Sequence, residues 1–133
     1  MQLARFHRLQ SCYYRLEAAC CCKCETKHFP PRKRCIQCGG TELRTIKLAR
    51  RGHVAAVTSI HQPASGFQKG ARMLAAVIDL DDGVRLIAQL TDVEPEDASV
   101  GMPVEMVVRR LRTDNENGPI LYAYKFRPVL KHN

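Results

Sequence analysis

From residue 53 onward, apolar side chains recur at every second position or in short β-branched runs. "HVAAVTSI" (53–60), "RMLAAVIDL" (72–80), "VRLIAQL" (84–90), "PVEMVVRRL" (103–111) and "ILYAYKFRP" (120–128) each predict a strand. "DDG" joins the second and third, and Asp82-Gly83 suits the positive φ angles of a tight hairpin turn. "GMP" at 101–103 opens the fourth strand, and "DNENGP" at 114–119 is a polar loop before the fifth. Five short strands with no long helix between them predict a mainly β chain whose strands form a small closed or partly open barrel. The first residues follow a different period. Leu3, Phe6, Leu9 or Gln10, Tyr13 and Leu16 fall at three- and four-residue steps, with Arg5, Arg8 and Arg15 elsewhere on the wheel. That spacing predicts an amphipathic helix over 3–17, without a strong cap at its start. In so small a chain its apolar stripe is expected to meet its own domain or, by preference, another subunit. The chain thus divides into an N-terminal helix (1–19), a cysteine-rich unit (20–48) and a barrel (49–133).

The middle unit has neither period. Six of the seven cysteines lie in residues 20–38. Cys21/Cys24 and Cys35/Cys38 form two C-x-x-C pairs separated by ten residues. In each pair a tight turn can aim both sulfurs at one point while backbone N–H groups donate to them. Two such knuckles give tetrahedral tetrathiolate coordination, which suits zinc. Iron fits the same ligands. Cys20 and Cys22 are only a C-x-C, too short for the turn, so they and Cys12 read as bystanders. Gly39 is the residue such a turn wants after its second cysteine, whereas Glu25 holds the matching place in the first knuckle. Four thiolates leave no open position for water or substrate, so the metal is expected to be structural. Between the knuckles, "FPPR" cannot be helical, because Pro30 and Pro31 hold the chain extended.

Composition sharpens this picture. At 133 residues and 45% hydrophobic, the chain has enough apolar material for one small core. No apolar run approaches the roughly 18 residues of a membrane span. "MQLARFHRLQ" has no signal-peptide pattern, which predicts a cytoplasmic location, where clustered cysteines bind metal more often than they pair. The net charge of +8 is concentrated: residues 20–52 hold nine Lys/Arg against two acids, or +7. Residues 53–133 hold nine basic and ten acidic side chains, or −1. With a metal and four thiolates the basic unit keeps about +5, which favours a phosphate-bearing or acidic partner. The plainer reading of that charge is a solvated face.

Catalytic signals are missing. None of His7, His28, His53, His61 and His132 has a second histidine at metal-ligand spacing, and no phosphate-binding or nucleophile-elbow motif occurs. Asp79, Asp81 and Asp82 cluster where turn chemistry places Asp. A non-catalytic binding module is the expectation, with no catalytic residues of its own. A ribbon beside a barrel with pI near 9.4 fits a nucleic-acid protein. The barrel segment, however, is slightly acidic, and its aromatics are only Phe67, Tyr122, Tyr124 and Phe126, the last three on one strand face. Those features suit core or interface better than base stacking, and they make nucleic acid an unfavoured partner.

In order, "YRLEAACCCKCETKHFPPRKRCIQCGG", "RRGHVAAVTSI", "DLDDGVRLIAQLTDV", "VGMPVEMVVRR" and "YAYKFRP" resemble the zinc-ribbon plus OB-fold family that accompanies acyl-CoA enzymes. The match runs over residues 13 to 128; Glu25 in place of the usual Gly, and the extra Cys20 and Cys22, depart from the pattern. The resemblance implies a rubredoxin-like zinc ribbon packed on a five-stranded OB barrel behind an N-terminal helix. It also implies an accessory subunit of a thiolase-fold acyl-CoA acyltransferase, with the catalytic residues on the partner. CoA carries a 3′-phosphate and a pyrophosphate, so Arg32, Lys33 and Arg34 after the proline turn, with Lys125 and Arg127 on the last strand, are expected to contact CoA or an acidic patch of the partner. The alternatives are a nucleic-acid-binding ribbon-OB protein and a rubredoxin-like redox protein.

Overall fold

The alternating runs do form the strands they predict, and their burial shows why. The computed structural model describes residues 3–62, 73–113 and 117–130; Phe67, His132 and the start of the 114–119 loop lie outside them. Strands β4 (Arg51–Ile60), β5 (Met73–Leu80), β6 (Arg85–Leu90), β7 (Pro103–Thr113) and β8 (Ile120–Pro128) close into a barrel in the order β4-β5-β6-β8-β7. All pairings are antiparallel except β6–β8, which meet in parallel at Leu90 and Phe126. This is the five-stranded order of an OB barrel. Along β5 every second residue is buried, so Leu74, Ala76, Ile78 and Leu80 fill the interior. Gly83 takes φ +87° in the β5–β6 turn, and its N–H donates to the Leu80 carbonyl at 3.0 Å.

Ahead of the barrel, β1 (Glu17–Cys21), β2 (Lys27–His28) and β3 (Leu43–Lys47) make a second sheet in the order β2-β1-β3. The sequence pattern did not announce these strands. It also made the helix too long and unbroken. Two short helices, α1 (Leu3–Arg8) and α2 (Gln10–Arg15), replace the expected single one over 3–17. Leu9 sits between them at φ −99°, ψ 12°, and Leu16 ends the second in the left-handed region at φ 52°, ψ 44°. The cause is tertiary. Leu16 is fully buried in the core, and Ala18 follows it inward from a strand. Burying a leucine is worth about 2 kcal/mol, enough to offset the ~1 kcal/mol strain of a left-handed non-glycine residue.

The two sheets share one core. Leu16, Ala18 and Leu48 from the N-terminal unit join Val54, Ile78, Val104 and Phe126 in a single buried cluster. Phe29 packs edge-on against Tyr124, their ring centres 5.7 Å apart. Helix α2 lies against β8, whereas α1 buries no residue. Of the aromatic face expected on β8, Phe126 is fully buried and Tyr124 mostly so, but Tyr122 is 48% exposed. No helix among the described residues is long and apolar enough to cross a membrane.

Candidate metal centre

Cys21 ends β1, and the chain turns through Cys24 before returning as β2; Cys35 and Cys38 lie on the loop between β2 and β3. Both turns are built alike. The N–H of Glu25 donates to the Cys21 carbonyl at 3.0 Å, and the N–H of Gly39 donates to the Cys35 carbonyl at 3.0 Å. Both receiving turns end in a left-handed residue, Glu25 at φ 58° and Gly39 at φ 72°. Glycine accepts that conformation freely and glutamate does not. Glu25→Gly is therefore expected to stabilise the metal-loaded chain by about 0.5–1 kcal/mol, read as a raised denaturation midpoint. An unchanged or lowered midpoint contradicts the strain.

The structure brings the four paired cysteines together. Their sulfurs all lie within 4.8 Å of one another, with Cys21–Cys38 at 3.5 Å and Cys24–Cys35 at 3.4 Å. A tetrahedron with metal–sulfur bonds of about 2.3 Å has edges of about 3.8 Å. The set thus has the donors and the spacing to hold a metal ion such as zinc. Cys21 and Cys35 are buried, while Cys24 and Cys38 face outward. Gly40 closes the inner side: a Cβ there would stand 3.3 Å from the Cys38 sulfur and 3.7 Å from that of Cys21.

Hydrogen bonds favour thiolates at this point. The Thr26 hydroxyl, 3.1 Å from the Cys24 sulfur, leads the Thr26 N–H and the Cys35 thiol in pulling Cys24 down to about 6. The N–H groups of Cys24 and Lys23 lower Cys21. The Gln37 N–H donates to the Cys35 sulfur at 3.4 Å. At Cys38 the Gly40 N–H favours the thiolate, but the crowding sulfurs of Cys21, Cys24 and Cys35, with burial, outweigh it and push this thiol up to about 11. Four sulfurs this close cannot all ionise unless a cation offsets their repulsion. Cys21, Cys24, Cys35 and Cys38 would hold such a cation, and its charge would favour the thiolate form of all four.

The remaining cysteines stand apart. Cys20 is buried in β1, with its sulfur 3.8 Å from the Cys21 carbonyl; Cys22 is exposed, and Cys12 is buried in α2. Arg32, Lys33 and Arg34 are all exposed on the loop between Pro31 and Cys35. Lys125 and Arg127 lie on a different unit, strand β8. Arg127 donates to Glu105 at 3.0 Å and lies 4.0 Å from Asp92, and it holds the Glu105 carboxyl below its usual range. Lys125 is half-buried, and its amine is lowered first by that burial and then by Arg109.

Asp82 does more than its turn position suggested. Its carboxylate accepts from the Ala49 N–H at 2.8 Å, and its carbonyl accepts from the Lys27 ammonium at 3.3 Å. It ties the barrel hairpin to β2 and to the segment just after β3, the latter a contact across 33 residues that no local pattern carries.

The chain is similar to known proteins. The family model for the ChsH2 C-terminal OB-fold domain matches residues 45–109. A DUF35 domain-containing scaffold protein of Pyrococcus furiosus is 41% identical over 133 residues, covering 98% of this chain and 96% of that protein. A probable enoyl-CoA hydratase alpha subunit of Thermomonospora curvata is 31% identical over 111 residues, covering 83% of this chain but only 32% of that larger protein. Among solved structures, a chain of the Ltp2-ChsH2(DUF35) aldolase superposes with a TM-score of 0.69 at 28% identity, covering 95% of this chain and 91% of that one.

Proposed function

The chain belongs to the family of DUF35 domain-containing scaffold proteins, and on that premise we propose that it is a non-catalytic scaffold subunit of a thiolase-fold acyl-CoA acyltransferase, acting in the cytoplasm. The observation that carries this reading is a four-cysteine cluster able to hold a metal ion in a chain 41% identical, over nearly its whole length, to a scaffold protein. Similarity to a protein named as a probable enoyl-CoA hydratase alpha subunit and to a chain of the Ltp2-ChsH2(DUF35) aldolase supports this reading. In this reading zinc occupies Cys21, Cys24, Cys35 and Cys38, braces residues 20–48 as a ribbon, and leaves residues 49–133 as the barrel. The nucleophile and base belong to the partner.

Physical chemistry says how such a subunit would work. Ribbon and barrel share one core, so the docking surface is formed before binding and little ordering entropy is lost on association. Arg32, Lys33 and Arg34 are held between a proline pair and a metal ligand. A short loop fixed at both ends keeps three cations at one place, where they attract the phosphates of CoA or an acidic patch of the enzyme. Lys125 is a further, half-buried cation on the barrel. Arg127, already engaged by Glu105, contributes less.

Replacing Arg32, Lys33 and Arg34 together with glutamate tests the assignment. Affinity for the purified acyl-CoA enzyme is expected to fall at least about tenfold, mostly through the association rate, with weaker salt dependence. Unchanged binding at low and high salt removes the loop from the interface. Turnover of a thioester by the chain alone would end the scaffold reading.

A further inference from the structure

The outer face of the barrel carries an unexplained apolar row. Strand β5 is apolar on both faces: Leu74, Ala76, Ile78 and Leu80 point inward, and Ala75 and Val77 point outward. An antiparallel sheet with one wet face normally shows polar residues there, whereas apolar residues on both faces mark a strand covered on both sides. The neighbours continue the pattern. Val77 pairs with Ala56 of β4 on one side and Ile87 of β6 on the other. Ala75 pairs with Thr58 and Gln89 in the same way. Ile87 is 72% exposed, more than any other large hydrophobic residue of the described chain. Nothing in this face is charged until the Asp79–Arg85 ion pair at its edge, 2.6 Å apart.

We infer that this face binds a second copy of the chain, sheet against sheet. The row Ala56–Val77–Ile87 runs small, medium, large. Under a two-fold axis along the strands at Val77, it meets itself reversed. Ile87 then fills the hollow over the partner copy's Ala56, Val77 meets Val77, and the Thr58 hydroxyl meets the Gln89 amide. Such self-complementarity is what an isologous contact requires. Charge points the same way. Two metal-loaded copies joined through their ribbons would bring about +5 against about +5, but this row belongs to the barrel segment, whose net charge is −1. The row also lacks the cations and stacking rings of a nucleic-acid surface.

Size sets the strength. Three strands about 4.8 Å apart and two rows about 7 Å apart cover a few hundred Å². That is below the roughly 800 Å² per partner of a standard interface, so the contact is a weak one, populated toward the top of the concentration range and reinforced when each copy also holds an enzyme subunit.

Sedimentation velocity of the full metal-loaded chain, from about 1 to about 500 µM, is the test. The wild type is expected to shift from monomer to dimer. Ile87→Lys and Ala56→Glu are each expected to stay monomeric at the top concentration with metal content and melting temperature unchanged, since both residues are exposed. Mixing the A56E and I87K chains is expected to restore a dimer, because the two introduced charges then face each other across one half of the contact while the other half stays native. A wild type that is monomeric throughout overturns the inference. So does a dimer that survives Ile87→Lys. If the wild type is monomeric but Ile87→Lys abolishes binding to the acyl-CoA enzyme, the face belongs to that enzyme instead. The scaffold reading itself is untouched by either result, since the ribbon-loop variants test it separately.

Discussion

Replacing Cys35 with serine is expected to strip the metal from the chain and unfold the ribbon. Cys35 is the sharpest of the four to change. It is 2% exposed and its sulfur lies 3.4 Å from that of Cys24. It also has no cysteine beside it, whereas Cys20 and Cys22 flank Cys21, and a slip of one residue there would offer a substitute thiol. A hydroxyl is a poor ligand at neutral pH, and three thiolates without the fourth hold the ion far less tightly. The ribbon has little else to keep it closed. Strand β2 is two residues long, and residues 31–34 and 36–39 are exposed. Losing a structural metal belongs with the largest single-site effects, at about 4 kcal/mol or more. For a chain of this size that lowers the melting temperature by about 15 °C. Damage reaches the barrel as well, because Leu16, Ala18 and Leu48 line its core. Elemental analysis and thermal denaturation of the C35S chain read both effects. Full metal content, or a melting temperature within about 2 °C of wild type, contradicts a bracing metal.

The second large effect comes from Gly52, where β4 turns from one neighbour to the next. It pairs with Leu80 of β5 and with Val104 of β7, so the barrel closes through it. A Cβ at this position would lie 2.3 Å from the Asp79 carbonyl oxygen and 2.9 Å from the Leu80 Cα. Both obstacles are backbone, so no rotamer can relieve the clash; the strands must separate. Gly52→Ala is expected to cost about 3 kcal/mol and lower the melting temperature by about 10 °C. Gly83→Ala provides the contrast. Gly83 has φ +87° with nothing within 4 Å of its Cβ position, so only backbone strain of about 1 kcal/mol applies. Equal losses at the two sites would show that the crowding at Gly52 is not the cause.

Legibility followed the physics of each segment. Barrel strands alternate because one face meets the core, and all five were readable to within a few residues. The Asp82-Gly83 hairpin was readable because its turn needs a residue tolerant of positive φ. The ribbon strands were hidden for the opposite reason: "EAACC" is a run of small residues without period, and four of its five are buried. Leu16 and Glu25 adopt left-handed conformations without the glycine that signals them, so the break after α2 left no mark. The four-sulfur cluster was readable from spacing alone, since two knuckles need little beyond their own turns. Its supports were not. The Thr26 hydroxyl on Cys24, Gly40 behind the sulfurs, and Asp82 reaching Ala49 depend on how the chain returns, which spacing does not encode. Arg127 looked available as a surface cation, but Glu105 stands opposite it across the β7–β8 pair.

Native mass spectrometry of the chain, purified at low salt from the cells that make it, is the most direct test of a metal-braced scaffold for acyl-CoA chemistry. The expected species is this polypeptide with zinc bound, held to a subunit that peptide sequencing identifies as a thiolase-fold acyl-CoA enzyme. A polypeptide that emerges metal-free and alone, or bound to nucleic acid, contradicts that assignment.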